Sequence, residues 1–381
     1  MKSLENKRIV LAVTGSIAAV DTVRLAHELR RRGADVIPVM SEAAAGLIHP
    51  EALTYACGHP CITKISGMVE HVEYCGEGGK ADLLLIAPST ANTISKIAVG
   101  IDDTPVTTFA TTAIGRGMPI VLAPAMHESM YRHPAVRKNL KILEDEFNIS
   151  VVPPKMEEER AKIAEIETIC LYVERALYPH DLDGKSVLIT SGSCRETVDS
   201  VRVLTTRSSG TMGRELALEA FRRGADVTVV MNTALHGFIP GVRSVTIESA
   251  ADMQRAVMEE LKCRTIDYYI SAAAISDFTP DVSKTKIHSG TPVTLTLHLA
   301  PKLISQVTGP KIIGFKIGED AHEAAQSLMN SQKNIIAVAA NYPATMGSAD
   351  GIYRVYRKGA DAIDITGTKK EIAYALWNAV L

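Results

Sequence analysis

A six-residue segment occurs twice in this chain of 381 residues, and it constrains the fold more than any other feature. The sequence RRGADV runs from Arg31 to Val36 and again from Arg222 to Val227. In both places an apolar run and an amphipathic stretch come first. The paired arginines suit the negative end of a helix, the glycine can take the left-handed conformation that ends it, and a β-branched run follows. The repeat therefore predicts two domains, each opening with a parallel strand–helix–strand unit.

Length and composition exclude several classes of protein. A chain of this length is expected to form two or three domains with full cores, and 46% of its residues are hydrophobic. The formal net charge of −2 gives no electrostatic case for binding nucleic acid or an acidic membrane. No apolar run is long enough to span a bilayer and no secretory signal is recognisable, so we expect a cytoplasmic protein.

The six cysteines do not form a recognisable metal motif, because none belongs to a CxxC pair. Cys57, His59 and Cys61 lie close together, but no second half completes a set of metal ligands. Reduced, buried thiols are the favoured interpretation, and a structural metal is the alternative.

The first half of the chain has the pattern of a doubly wound parallel sheet. The run from Ala81 to Ala87 is almost continuously apolar, which is typical of a central strand buried on both faces. Pro38 lies within the second strand and therefore predicts an edge or a bulge. The further predicted elements are strands at 9–13, 36–40, 119–123 and 149–152 and a closing helix at 161–176.

Small polar residues follow three of these strands. They are Gly15 and Ser16 after the first strand, Ser41 after the second, and Ser89, Thr90 and Asn92 after the central one. The absence of a GxGxxG fingerprint disfavours a dinucleotide. A mononucleotide phosphate held by backbone amides and hydroxyls fits this pattern, and so do plain helix N-caps. His71, between Glu70 and Val72 and close to Glu73, is either a general base or a surface histidine.

This half resembles the flavin-dependent cysteine decarboxylases, the family that includes phosphopantothenoylcysteine decarboxylase. The resemblance is carried by 13–19, His71, the stretch 81–93 and Pro124-Ala125-Met126. It implies that Gly15, Ser16, Ser41, Ser89, Thr90 and Asn92 bind FMN, that His71 is the catalytic base, and that Met126 and His127 contact the substrate. His127 replaces the asparagine usual in the family, and the stretch 153–162 lacks the cysteine that often donates the final proton. Lys155 and Lys162 are the only candidates we can name for that role.

The second half also has polar residues where strands end. After a strand at 187–190 comes a loop from Ser193 to Ser208, long enough to be functional. It ends at Ser208-Ser209-Gly210, where a helix begins, which predicts a triphosphate cradle or a plain N-cap. Arginines in the loop favour the phosphate. Four residues near later strand ends are predicted to converge on one face: Asp277, Lys286, Lys316 and Asn341.

This half resembles phosphopantothenate–cysteine ligase. The resemblance is carried by an Arg-Glu…Asp-x-Val-Arg string at 195–202, by Ser208-Ser209-Gly210, by 272–278, by Gly314-Phe315 and by Lys333-Asn334. It implies that a nucleoside triphosphate, with CTP favoured over ATP, and Mg²⁺ activate 4′-phosphopantothenate as an acyl-nucleotide that cysteine captures. The implied nucleotide contacts are Ser208, Ser209, Gly210, Asp277, Lys286 and Phe315, with Lys286 also catalytic. Thr206, Thr211 and Tyr342 replace residues common in the family.

Taken together, these features predict an α/β chain of two doubly wound Rossmann-like domains. Residues 1–178 would form a flavodoxin-like, FMN-dependent phosphopantothenoylcysteine decarboxylase domain, and residues 185–381 a nucleotide-binding phosphopantothenate–cysteine ligase domain. The ligase product would be the decarboxylase substrate in coenzyme A biosynthesis. The resemblance implies a homo-oligomer with flavin-domain trimers and ligase-domain dimers. Two alternatives are a regulatory, non-enzymatic flavoprotein and a different flavin-dependent decarboxylation.

Overall fold

The computed structural model describes residues 2–157, 160–288, 290, 292–345 and 348–381. The chain divides into two compact units, Met1–Tyr178 and Pro179–Leu381. Within the described ranges, no helix is both long and apolar enough to cross a membrane.

The first unit contains a five-stranded, fully parallel sheet in the order β2-β1-β3-β4-β6. This is the flavodoxin order, with its topological switch point between β1 and β3. β5, β8 and β7 form a small antiparallel sheet in that order. The strands are β1 Arg8–Val13, β2 Asp35–Met40, β3 Leu83–Ser89, β4 Ile120–Pro124, β5 Met126–His127, β6 Ser150–Val151, β7 Lys155–Glu157 and β8 Arg160–Lys162.

Helices cover both faces of the five-stranded sheet. Alternate residues of β1 point into different cores: Ile9 and Leu11 pack with α1, α3 and α9, while Val10 and Ala12 pack with α5, α6 and α8. The helices are α1 Thr22–Arg31, α2 Glu42–Ala45, α3 Pro50–Cys57, α4 Glu70–Cys75, α5 Ala91–Ala98, α6 Pro105–Arg116, α7 Glu128–Tyr131, α8 Pro134–Asp145 and α9 Ile166–Leu177, with a 3₁₀ turn at Ile17–Asp21. The continuous apolar run of β3 is explained by this double coverage.

The edge strand and the start of the last helix were both predicted for the first unit, and the structure bears out only the first of these. The prediction of an edge strand around Pro38 is confirmed, because β2 is the last strand on its side of the sheet. The predicted helix at 161–176 is wrong at its start: α9 begins at Ile166, and residues 160–162 form β8. Ala161 pairs with β5 and β7 and Lys162 pairs with β7, so the first residues of the predicted helix are part of a sheet.

The second unit contains an eight-stranded sheet in the order β13-β12-β9-β14-β17-β18-β19-β20. β13 to β18 are parallel and follow the Rossmann order, with β19 and β20 added as antiparallel edge strands. Two further pairs, β10–β11 and β15–β16, stand outside this sheet. The strands are β9 Ser186–Ser191, β10 Arg195–Thr197, β11 Val203–Thr205, β12 Asp226–Met231, β13 Arg243–Thr246, β14 Tyr268–Ser271, β15 Phe278–Pro280, β16 Leu297–Leu299, β17 Lys311–Ile317, β18 Ile335–Asn341, β19 Asp350–Arg357 and β20 Ala360–Thr368.

The helices of the second unit complete its layers. They are α10 Thr211–Arg222, α11 Thr233–His236, α12 Ala250–Cys263, α13 Ala321–Ser331 and α14 Lys369–Val380, with 3₁₀ turns at Leu303–Gln306 and Pro343–Thr345. The loop predicted from Ser193 to Ser208 is partly wrong, because it folds back on itself as the β10–β11 hairpin. The fold class, two doubly wound α/β units of flavodoxin-like and Rossmann-like order, is confirmed.

The repeated segment does the same structural work in both units. The second arginine of each copy bonds a glutamate one helical turn earlier: Arg32 Nε lies 3.0 Å from Glu28 Oε1, and Arg223 Nε lies 2.9 Å from Glu219 Oε1. Each also reaches the last helix of its own unit. Arg32 Nη1 bonds Glu174 Oε1 in α9 at 2.8 Å, and Arg223 Nη2 bonds Asn378 Oδ1 in α14 at 2.6 Å.

Candidate functional site

The carboxyl ends of four strands in the first unit are joined by hydrogen bonds. The Thr14 hydroxyl donates to the Pro88 carbonyl at 2.8 Å and accepts from the Thr90 amide at 3.1 Å, which links the ends of β1 and β3. The Ser41 amide donates to the Val13 carbonyl after β2. The Ala125 amide, after β4, donates to the Ser89 carbonyl. The polar residues predicted at these strand ends therefore lie at one edge of the sheet.

Three of these hydroxyls are helix N-caps. Ser16 accepts from the Ala18 amide at 3.4 Å, Ser41 from Ala44 at 3.3 Å and Thr90 from Thr93 at 3.3 Å. The N-cap interpretation is thus realised. It is compatible with anion binding, because the ends of these short helices still offer amide N–H groups at their first turns.

Ser89 and Gly15 indicate that a ligand belongs at this edge. The Ser89 hydroxyl is fully buried and has no hydrogen-bond partner among the described residues, which is costly unless a ligand supplies one. Gly15 leaves room that a side chain would remove, since a Cβ there would lie 2.6 Å from the Ala43 Cβ. Asn92 is exposed in the first turn of α5. A hydroxyl without a partner, a close backbone and nearby helix N-termini suit a phosphorylated flavin.

His71 lies on α4, and no hydrogen bond or ring contact joins it to these loops within the described residues. Its ring stands edge-to-face against Phe109 of α6, with the centroids 6.5 Å apart, and its Nδ1 is buried without a partner. Val69, two residues earlier, adopts the left-handed conformation with φ 49°, which is rare for a β-branched residue. The histidine is therefore held by packing, with a ring nitrogen available to a ligand or a neighbouring subunit.

Met126 and His127 form β5, directly after β4. Met126 pairs with Ala161 and His127 with Arg160, so β8 lies beside the predicted substrate residues. The His127 ring accepts from the Ser129 amide at 3.4 Å as the N-cap of α7. Lys155, one of the two candidate proton donors, forms an ion pair with Glu165 at 2.8 Å. β7 and β8 thus belong to the stretch 153–162, in which the resemblance leads one to look for the final proton donor.

A cavity in the second unit brings several predicted residues together. It encloses about 120 Å³, less than the roughly 300–1,000 Å³ of typical ligand sites, so only part of a nucleotide would be enclosed. Its lining includes the predicted residues Ser208, Ser209, Gly210, Phe315, Lys316 and Asn341, and also Thr345, Tyr353 and Lys369.

His236, which the sequence did not single out, fastens the loop that carries Ser208 to Gly210. Its Nε2 accepts from the Ser193 amide at 3.1 Å, and the Ser209 backbone hydrogen-bonds the ring. Gly192 and Gly210 both have positive φ, and a Cβ at Gly192 would lie 2.3 Å from the imidazole. Burial lowers the pKa of His236, which favours the unprotonated Nε2 that the bond from the Ser193 amide requires.

Asp277 and Lys286 lie outside this cavity. Both are exposed, at the start and in the following loop of the β15–β16 arm. Asp199 anchors that loop: its carboxylate accepts from the amides of Val201 and Arg202 at 2.7 Å and of Ile287 at 3.0 Å. These bonds hold the pKa of Asp199 well below its usual range. The predicted convergence of four residues is therefore seen for Lys316 and Asn341 and not for the other two.

Lys369 and Tyr353 are the site residues that sequence reasoning missed. Lys369 opens α14 in the polar string Thr-Lys-Lys-Glu, which is typical of a solvated helix start. In the structure it is buried beside the hydroxyl of Tyr353, and both line the cavity. A lysine beside another lysine at a polar helix start gives no sequence signal that would have found it.

The cysteine-rich stretch is engaged in other contacts. His59 Nε2 lies 2.6 Å from Asp35 Oδ1, and burial raises the pKa of the Cys57 and Cys61 thiols to about 12. Among the residues described, no group of three or more histidine, cysteine, aspartate or glutamate side chains is arranged to hold a metal ion.

Comparison with known proteins gives matches over the whole chain. Residues 1–177 match the family model described as Flavoprotein, and residues 182–381 match the DNA/pantothenate metabolism flavoprotein C-terminal domain. The coenzyme A biosynthesis bifunctional protein CoaBC of Thermococcus kodakarensis is 42% identical over 100% of this chain and 96% of that protein. The protein of the same name from Methanocaldococcus jannaschii is 36% identical over 98% and 93%. Among solved structures, the FMN-dependent cysteine decarboxylase SpaF is 28% identical, covering 46% of this chain and 99% of its own, with a TM-score of 0.40.

Proposed function

The chain belongs to the family of bifunctional coenzyme A biosynthesis proteins, and from that premise we propose that residues 1–178 are its FMN-dependent decarboxylase and residues 185–381 its cysteine ligase. The chain is a bifunctional enzyme of coenzyme A biosynthesis, both a flavin-dependent lyase and a ligase. Each reaction is thereby assigned to one of the two units. The ligase joins cysteine to 4′-phosphopantothenate, and the lyase removes CO₂ from the product to give 4′-phosphopantetheine.

The observation that supports a flavin site in the first unit is the buried, unpartnered hydroxyl of Ser89. With Gly15, Ser16, Ser41, Thr90 and Asn92 it would hold FMN at the switch point of the sheet. Bound FMN would supply the two-electron redox chemistry that lets the carbon beside the carboxylate lose CO₂. His71 would hold or move a proton, and Met126 and His127 would orient the substrate.

In the second unit, the cavity at the start of α10 supports nucleotide binding. Ser208, Ser209 and Gly210 would receive phosphate oxygens at the helix N-terminus, and Phe315 would pack against the ligand. Lys286 would stabilise the negative charge that develops in the transition state if its exposed loop closes over the bound substrate. CTP is the expected nucleotide. Mg²⁺ would arrive with the triphosphate, since the described residues offer no metal-binding cluster of their own.

Exposed apolar residues support a homo-oligomer. In the first unit Ile17 and Val20, which follow β1, are exposed, and so are Val99 and Ile101, which follow α5; these apolar residues suit the expected trimer. In the second unit Phe278, Leu297 and Leu299 are exposed on the β15–β16 arm, which suits the expected dimer. The six free thiols fit the expected cytoplasmic location.

A coupled assay on the full chain tests the assignment. Pyrophosphate release should require 4′-phosphopantothenate, cysteine and one of the four nucleotides, and CO₂ release should follow in protein that carries FMN. His71→Asn should keep pyrophosphate release and lose CO₂ release. His49→Asn is the matched control, because His49 is an exposed N-cap and asparagine caps equally well. Protein that takes up no FMN, or that releases pyrophosphate with none of the nucleotides, would contradict the proposal.

A further inference from the structure

We propose that the ammonium of Lys369 binds a phosphate oxyanion of a ligase ligand, opposite the Ser208–Gly210 loop. This inference rests on the proposed ligase function of the second unit and assigns a residue that the sequence did not indicate. Lys369 and the Ser208–Gly210 loop line the same cavity.

The surroundings of Lys369 leave its charge without a counter-ion. The residue is only 5% exposed. Its Nζ donates to the Tyr353 hydroxyl at 2.8 Å and to the Thr345 carbonyl at 3.4 Å, and lies 4.7 Å from the centre of the Tyr353 ring. Among the described residues, no carboxylate comes within ion-pair distance of it. A buried ammonium with only neutral partners is unfavourable, and an anionic ligand would remedy this.

The two groups that accept hydrogen bonds from Lys369 Nζ do not supply a negative charge. Burial raises the pKa of Tyr353 to about 12, so its phenol stays neutral at working pH. Asp350 acts on Lys369 only at longer range, and burial still lowers the lysine's pKa. An anionic ligand could therefore balance the positive charge of Lys369.

The position of Lys369 on its helix adds to this cost. It is the first residue of α14, a helix of twelve residues capped by Thr368. The N-terminal end of a helix carries partial positive charge and disfavours a cation there. An oxyanion beside Nζ would interact favourably with both the ammonium and the helix end.

The backbone makes room for this arrangement. A Cβ at Gly351 would lie 3.0 Å from Lys369 Nζ and 2.9 Å from the Tyr353 ring. Tyr353 is held in turn by Phe315, whose ring stands edge-to-face to it at 6.3 Å. The lysine is thus placed by a glycine on one side and an aromatic pair on the other.

The residues at the start of α10, which also line the cavity, supply further hydrogen-bond donors. Gly210, with φ 71°, precedes α10, so the amides of the first turn of a twelve-residue helix face the same cavity. Lys316 also lines it. An oxyanion in this cavity would meet amide donors from α10 and an ammonium from α14.

Two ligands of the ligase reaction carry this chemistry: the nucleoside triphosphate and 4′-phosphopantothenate. Calorimetric titration of the full chain with CTP, ATP, 4′-phosphopantothenate and unphosphorylated pantothenate distinguishes them. Lys369→Met should weaken binding of one phosphorylated ligand by about ten- to a hundredfold, as expected for a lost charged hydrogen bond, and leave pantothenate unaffected. Lys369→Arg should keep part of the affinity, and Tyr353→Phe should weaken it less than Lys369→Met does.

A thermal melt without ligand separates a binding role from a structural one. Lys369→Met should melt at the same temperature as the parent or higher, because an unpaired buried charge is replaced by an apolar chain of similar length. Lys358→Met, at an exposed lysine in the same unit, is the control for both measurements. Unchanged affinity for every phosphorylated ligand would overturn the proposal, as would weaker affinity in Lys369→Met accompanied by a lower melting temperature.

Pyrophosphate as a probe keeps the test independent of the proposed function. If the parent binds neither nucleotide nor 4′-phosphopantothenate, the ligase assignment fails, and Lys369 is then judged on pyrophosphate alone. Weaker pyrophosphate binding by Lys369→Met would support the oxyanion site. Equal binding, or none by the parent, would overturn it.

Discussion

The carboxylate of Asp199 accepts a hydrogen bond from the backbone nitrogen of Ile287 at 3.0 Å. Asp199 lies between the two strands of the β10–β11 hairpin, and Ile287 follows Lys286. The bond thus joins the long loop of the second unit to the loop that carries the proposed ligase lysine. Arg202 strengthens the junction, since its guanidinium bonds both the Asp199 carboxylate and the Ile287 carbonyl.

Asp199→Asn should lower the ligase rate by about tenfold and leave the decarboxylase rate unchanged. An asparagine offers one acceptor oxygen in place of two, so it cannot satisfy three amides and a guanidinium together. The ligase rate is measured by pyrophosphate release. The decarboxylase rate is measured by CO₂ release, with the ligase product supplied as substrate. Asp281→Asn, at an exposed aspartate on the same arm, is the control. Equal losses in both reactions would point to general misfolding and count against the anchoring role.

Arg32→Met should lower the unfolding free energy of the first unit by about 3 kcal/mol. Glu174 is fully buried, so removal of Arg32 takes an ion pair away from a carboxylate in the core. Arg31→Met removes the adjacent arginine, which is 73% exposed, and should change stability by less than about 0.5 kcal/mol. Denaturant unfolding of both variants measures the difference, and similar values for the two would contradict the prediction.

Ser89→Ala should weaken FMN binding by about five- to tenfold, the effect of losing one neutral hydrogen bond. Without FMN the variant should be at least as stable as the parent, because the hydroxyl it loses is buried and unpartnered. Fluorescence titration with FMN gives the affinity and thermal melts give the stability. Ser95→Ala, on the neighbouring helix α5, is the control. Normal FMN affinity in Ser89→Ala would remove this hydroxyl from the flavin site.

The second unit should lose stability below about pH 6.5, and His236 should account for part of the loss. Burial lowers the folded-state pKa of His236, so the unfolded chain, whose histidine titrates near 6.5, binds more protons in the window between the two values. The histidine's contribution is therefore complete above pH 6.5 and declines as the pH falls through the folded pKa. In His236→Gln the difference in unfolding free energy between pH 7 and pH 5 should shrink.

The exposed His288 supplies the control for that experiment, as a His288→Gln variant measured at the same two pH values. A His236→Gln variant with the parental slope would show that the ring titrates alike in both states.

The sequence predicted the elements whose burial is decided by the sheet itself. The run 81–87 had to be a central strand, because only burial on both faces accommodates so many consecutive apolar residues. The repeat located both first helices for a similar reason. Short strands escaped prediction: β8 and the β10–β11 hairpin have three residues per strand and no apolar alternation, and their pairing depends on distant partners.

The polar residues after the strands of the first unit could be predicted to lie together, because strand ends in parallel sheets meet at one edge. Lys369 and His236 could not be predicted, since their positions depend on side-chain packing across elements far apart in sequence. The distance of Asp277 and Lys286 from a bound nucleotide is set by the position of the β15–β16 arm, which stands outside the main sheet. Their assigned roles stay predictions, as do those of His71 and the other residues carried over from the resemblance.

The paired arginine contacts of the two units have a consequence for how this enzyme can be taken apart. Each unit clasps its first helix to its final one through side chains that it owns, Arg32 with Glu174 and Arg223 with Asn378. A protease cut between Tyr178 and Pro179 would leave both clasps intact. Neither clasp crosses the boundary between the units, so each would also be kept in a half of the chain that is expressed by itself.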